Sequence, residues 1–208
     1  MASIARRLSL AVILVSAACV LQGCLVLSLH PAYDDDSIAW DPGLIGDWRD
    51  ADDVSTIHVE MAEWRSYKIH YEHPSEKGDV TAYLTIVGDD RYLDVTPLRG
   101  QDWGSFLLPA HDVLRVTLDG DRLTLTPLSY DVLSTRLRSG RAAAPGLAAV
   151  LDQKQNVLIT SSTSQLRSWL RNTAASSAAW GAAATFARST AAAPLNSGTP
   201  TRVQEAKR

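Results

Sequence analysis

Between Gly46 and Leu128 apolar and polar side chains alternate with a period of two, and this constrains the fold more than any other feature of the chain. Tyr67, Ile69 and Tyr71 fall on one face of a segment whose other face carries Lys68, His70 and Glu72. The same alternation marks Val54–Glu60, Val80–Val87, Arg91–Leu98, Val113–Leu118 and Arg122–Leu128. Side chains that alternate between faces are the signature of half-buried strands. Turn residues separate the segments: Gly88-Asp89-Asp90, and Asp119-Gly120-Asp121, where Asp-Gly readily supplies positive φ. A shorter apolar run, Ser105–Leu108, adds a buried strand. Strands recurring every ten to fifteen residues predict an antiparallel meander closing into a sandwich or barrel.

Pro127 ends this regime. Tyr130–Arg138 has apolar residues at helical spacing with Gly140 as its stop, Asn156–Thr160 reads as a last strand, and Ser161–Leu170 as a capped helix. Leu166, Trp169 and Leu170 lie on one face of that helix at i, i+3 and i+4. The fold class is therefore mainly β, with a short helix before the last strand and a C-terminal helix. From Thr173 to Arg208 the chain is rich in Ala, Ser and Thr, and such a segment buries too little apolar surface to offset ordering entropy. It is expected to be a disordered tail, with a transient Ala-rich helix as the alternative.

The N-terminus carries an address. Arg6 and Arg7 precede an uncharged stretch from Leu8 that reaches Leu21-Gln22-Gly23-Cys24, the layout of a secretory signal. That tetrapeptide resembles the lipobox of bacterial lipoproteins, in which the cysteine takes a diacylglyceryl thioether and becomes the new N-terminus. Gln22 departs from the commonest pattern. The resemblance implies a signal over residues 1–23, lipidation at Cys24 and membrane lipid as a partner. It also implies a periplasm-facing envelope location, with the outer membrane as destination, since Leu25 replaces the Asp that marks retention in the inner membrane. The alternative is a signal anchor, because the 22 residues Leu8–Leu29 would reach roughly 33 Å as a helix.

Cys19 would leave with the signal, and an acylated Cys24 forms no disulfide, so the domain must stand on its core alone. Removing Arg6 and Arg7 from 20 basic residues leaves 18 against 23 acidic ones. A chain of net charge −5 with no basic stripe gives no electrostatic reason to expect nucleic acid. Residues 24–39 read as a tether, because Pro31 and the run Asp34-Asp35-Asp36 disfavour regular structure. Three adjacent carboxylates lack the alternating ligand spacing of a calcium loop.

Gly46-Asp47-Trp48 at the first strand resembles the Gly-x-Trp opening of lipocalins and related calycin barrels. In that family the Trp plugs one end of the barrel under an Arg from a later element. A wider stretch resembles a group of bacterial lipoproteins of unassigned activity, through His30-Pro31-Ala32-Tyr33, Asp41–Trp48 and Thr163–Leu170. The resemblance implies an open or closed lipocalin-like barrel within a domain at residues 40–172.

Candidate chemistry is sparse. If the first hairpin turns near Trp64, paired positions sum to 128, which sets His58 opposite His70, Glu60 opposite Lys68 and Thr56 opposite Glu72. Two imidazoles beside Glu72 have donors for a divalent metal; the reading adopted is an outward polar face, with no metal and no cofactor. Ser161, Ser162 and Ser164 sit where a helix needs hydroxyl caps. Asp50–Asp53 and Asp89-Asp90 are turn formers first and paired catalytic carboxylates second. Trp48, Trp64 and Trp103 are the candidates to line a cavity for an apolar ligand. The expected role is a non-enzymatic module for an apolar ligand or an envelope protein; the alternative is a periplasmic hydrolase using the Asp-rich loops or the histidines.

Overall fold

The computed structural model describes residues 25–51, 54–98 and 110–189. Cys24, Trp103 and the strand expected at Ser105–Leu108 lie outside the described residues. Eight strands close an antiparallel barrel. In chain order the strands of the whole fold begin with β1 (Val26–Ser28) and β2 (Ile38–Ala39), which lie outside the ring. The ring starts with β3 (Gly46–Asp50), β4 (Thr56–Met61), β5 (Ser66–His73) and β6 (Glu76–Val87). It continues through β7 (Asp90–Pro97), β8 (Asp112–Asp119) and β9 (Arg122–Pro127). After two short strands, β10 (Ala149–Leu151) and β11 (Val157–Ile159), the ring is completed by β12 (Ala184–Arg188) between β9 and β3.

The meander from β3 to β9 follows the alternation of the sequence. Tyr67, Ile69 and Tyr71 face inward, and the expected register is present, with Thr56 opposite Glu72, His58 opposite His70 and Glu60 opposite Lys68. Gly120, at φ 56°, makes the β8–β9 turn, and Gly88, at φ 67°, makes the β6–β7 turn. β6 is twelve residues long because it serves several neighbours: its first part pairs with β5, its second with β7, and β2 continues the β5 edge at Thr85 and Leu84.

Helix α1 (Tyr130–Arg138) starts from the Ser129 side chain, which accepts a hydrogen bond from the Val132 N–H. Helix α2 (Thr163–Thr173) starts with a reciprocal capping box between Ser162 and Gln165, and buries Leu166, Trp169 and Leu170. Both helices and the small sheet β1-β11-β10 lie against the outer face of β6, β7 and β8. They form a second apolar core there with Val87, Tyr92 and Val113. The first core lies inside the barrel, around Trp48, Tyr67, Leu84 and Phe186.

Three expectations are corrected. The described part of the expected tether 24–39, residues 25–39, is not free: β1 pairs in parallel with β11, and Ala32 is completely buried. The reason is Asp94, a buried carboxylate on the outer face of β7, which accepts the Ala32 N–H at 2.6 Å and pairs with His111 Nδ1. Asn156–Thr160 supplies β11 of the small sheet, not the last strand of the barrel. The order expected to stop at residue 172 continues to residue 189, and β12 closes the barrel from within the supposed tail. A strand hydrogen-bonded on both edges is held by its ladder, so small side chains suffice, and only Phe186 is buried in the core. Residues 190–208 lie outside the described ones.

Candidate functional site

One end of the barrel is sealed. Trp48 is almost wholly buried, and its indole Nε1 donates to the Leu44 carbonyl at 2.9 Å. The Arg188 guanidinium lies 4.1 Å above the ring and donates to the carbonyls of Ile45 and Gly43 at 2.8 and 2.7 Å. A cation over an indole face, with its donors filled, holds the plug by charge and by hydrogen bonds together. Gly46 is required here, since its φ is +132° and a Cβ would stand 2.7 Å from Arg188 Nη1. This is the Gly-x-Trp arrangement, with its Arg from a later element, that the lipocalin resemblance implies. Beside the plug, Tyr67 stacks on Trp40 at 4.6 Å, and its hydroxyl accepts the Asp41 N–H at 2.8 Å.

Above this floor the interior is not filled. A cavity of about 470 Å3 runs to the other end, where the β5–β6 turn and the start of β8 form a rim. Its walls are inward residues of successive strands: Ile57 and Val59 of β4, Ile69 of β5, Leu93 and Val95 of β7, Leu123 and Leu125 of β9. Apolar pockets of this size suit a small amphiphile or an alkyl chain. Leu25 and Leu27 of the N-terminal segment also line it, at the rim.

Two carboxyls interrupt the apolar lining, Glu76 and Asp112. Both occupy inward positions of their strands: Asp112 has the parity of Leu114, and Glu76 that of Val80. Glu76 accepts the Tyr71 hydroxyl at 3.1 Å. Burial pushes the Asp112 carboxyl up to about 6, and the nearby negative charge of Asp94 adds to the rise. No Lys, Arg or His is among the described lining residues. Periodicity read for strand assignment passed over these acids; the signal was present as a polar residue at an inward position.

Of the three tryptophans expected to line a cavity, Trp48 is the floor plug and stands below the lining. Trp64 is outside the barrel, 85% exposed at the β4–β5 turn with φ 57°. The turn ties Ser66 O to the Ala62 N–H and leaves the indole pointing to solvent. Aliphatic side chains, with Tyr67 and Tyr71, therefore do the lining expected of the tryptophans, and Trp103 lies outside the described residues.

The histidines are not brought to one place. His58 Nδ1 meets Asp47 at 2.7 Å and His70 Nδ1 meets Asp79 at 2.9 Å, so the opposed pair turns outward to flanking strands. Lys68 pairs with Glu60 at 3.0 Å beside them. His73 bonds Ser75, and His111 is engaged with Asp94 under the outer layer. Among the described residues no group of three or more His, Cys, Asp or Glu has the spacing to hold a metal ion. Ser162 is spent on its helix cap, and Ser161 Oγ accepts the Ala148 N–H at 2.8 Å. Among the described residues no helix is long and apolar enough to cross a membrane.

Comparison with known proteins gives no match to a family model, a curated protein or a solved structure.

Proposed function

We propose that this chain is a lipid-anchored bacterial envelope protein, attached through acylated Cys24, whose barrel holds an apolar small molecule without transforming it. The single observation that carries the binding role is the 470 Å3 cavity, walled mainly by apolar side chains and sealed beneath by Trp48 and Arg188. An alkyl chain placing about ten methylenes there gains roughly 8 kcal/mol before ordering costs. The reading places the protein on the periplasmic side of the envelope, on the outer membrane where the host has one, with membrane lipid as its anchor partner.

The test is solvent extraction of protein purified from membranes, with mass analysis of the extract, alongside titration with an environment-sensitive fatty acyl probe. A saturable probe signal in the wild type, lost in Val95→Phe with the barrel still folded by circular dichroism, is the expected result. A wild-type protein that neither retains nor takes up an apolar molecule overturns the ligand reading. Radiolabelled palmitate incorporation that persists in Cys24→Ala overturns the anchor.

A further inference from the structure

The first described residues, from Leu25, lie at the open end of the barrel. β1 crosses the rim with Val26 and Ser28 turned to the outer core, while Leu25 and Leu27 face the cavity. Its position is fixed by hydrogen bonds. The Leu25 N–H donates to Asn156 Oδ1 at 3.2 Å, the Leu25 carbonyl accepts from Val157 N–H at 2.9 Å, and Ser28 exchanges two backbone bonds with His111 at 2.8 and 2.9 Å.

Cys24 directly precedes Leu25 in the chain, joined to it by one peptide link. An acyl group on Cys24 is therefore separated from the rim residue Leu25 by a single residue. The sealed end is far off, because a strand of eight residues such as β5 spans roughly 26 Å.

Exposed apolar side chains occur at both ends. Leu25, Val54 and Leu98 stand at the rim end, each about half exposed, and Met61 and Trp64 stand at the sealed end. The point of attachment decides between them. Acyl chains leaving Cys24 enter the bilayer beside the rim, and a one-residue link cannot carry them past the barrel to Trp64.

Resting on the reading of Cys24 as lipidated, we propose that the mouth of the barrel is seated against the leaflet that holds the anchor. The 470 Å3 cavity then opens onto lipid, and its occupant is a membrane amphiphile that enters from that leaflet without crossing water. Leu25, Val54 and Leu98 form the contact, and the Trp48–Arg188 end faces away from the membrane.

The experiment uses the acylated full chain in vesicles of phosphatidylethanolamine and phosphatidylglycerol. With Cys19 removed and the Cys24 sulfur in a thioether, an added cysteine is the single free thiol. A nitroxide is placed by Leu98→Cys, by Val54→Cys as a second rim position, and by Met61→Cys at the sealed end. Collision with oxygen against a water-soluble nickel chelate is read by power saturation, and uptake of the acyl probe confirms that each variant folds. The expected ratio is several-fold higher at 98 and 54 than at 61. Equal ratios, or the higher ratio at 61, overturn the orientation.

Mass spectrometry of the same samples separates the two readings. An acylated Cys24 with equal ratios removes the orientation alone. A Cys24 without acyl groups removes the anchor and the orientation together and leaves the cavity to the probe titration.

Discussion

The molecule has two apolar cores on either side of one sheet, and they are filled differently. The outer core, between β6–β8 and the helices, is packed with rings and locked by polar groups. Trp180 stacks on Tyr92 at 5.9 Å, lies under Arg115 at 4.5 Å, and donates to the Ala174 carbonyl. Arg167 of α2 donates to Ala32 O, Ser37 Oγ and Thr85 Oγ1 at 2.7 to 3.0 Å, joining helix, N-terminal segment and barrel. The barrel core has close packing only at its sealed end and leaves its upper part empty. The polar locks thus lie outside the barrel, while its interior keeps a space that close packing would otherwise remove.

The largest test of this contrast compares one leucine from each core. Leu170→Ala, in the outer core and fully buried, is expected to cost about 4 kcal/mol in chemical denaturation, whereas Leu125→Ala, already bordering the cavity, costs about 2 kcal/mol or less. Equal losses would mean that the barrel interior is as tightly packed as the outer layer. Next comes the polar lock beneath that layer. Asp94→Ala leaves the buried Ala32 N–H and His111 without their acceptor and is expected to cost about 3 kcal/mol, seen as early proteolysis of the N-terminal segment.

The cavity side has its own signature in pH. Asp112 titrates near 6 when folded and near 3.8 when unfolded, so folding favours its protonated form. Its contribution is complete below the unfolded value and is lost as pH rises through about 6. The wild type should therefore lose stability on the order of 2 kcal/mol between pH 4 and pH 7 relative to Asp112→Asn, which keeps the shape without the charge. Melting temperatures of the two proteins across that range check it; parallel curves would remove the burial argument.

At the sealed end, Gly46→Ala combines a left-handed backbone with a clash against Arg188, and a loss of about 1 to 2 kcal/mol is expected in the same denaturation assay. Smallest of all is Lys68→Ala on the outer barrel face. Its partner Glu60 is solvent-exposed, so thermal melts of variant and wild type should coincide.

Much of the barrel was legible from the chain, because a half-buried sheet writes its two faces directly into alternate residues. The β4–β5 register, the Asp-Gly turn and the Ser162 cap all followed from local rules. What escaped was whatever depends on partners remote in sequence. Ala184–Arg188 has no apolar pattern of its own and becomes a strand only because β3 and β9 leave a gap of the right width. Residues 26–33 look like linker until Asp94 and His111 supply acceptors from 62 residues and more away. Trp64 shows the opposite failure: a large apolar residue suggested a lining position, and the turn geometry placed it outside. At the site, Glu76 and Asp112 were visible as breaks in an alternation, but only the closed ring shows that those positions face a common space.

The position of β12 also sets the order in which the molecule can assemble. The strand that joins β3 to β9 begins at residue 184, so the first barrel strand waits for a partner made some 135 residues later. Until then both edges of an eight-membered ring missing one strand are open, and ring closure is the contact of highest loop entropy. A chain lacking Ala184–Arg188 therefore keeps the edges of β3 and β9 unpaired. A nascent chain stopped before Ala184 should accordingly associate through its exposed edges, and folding should set in abruptly once the last strand is available.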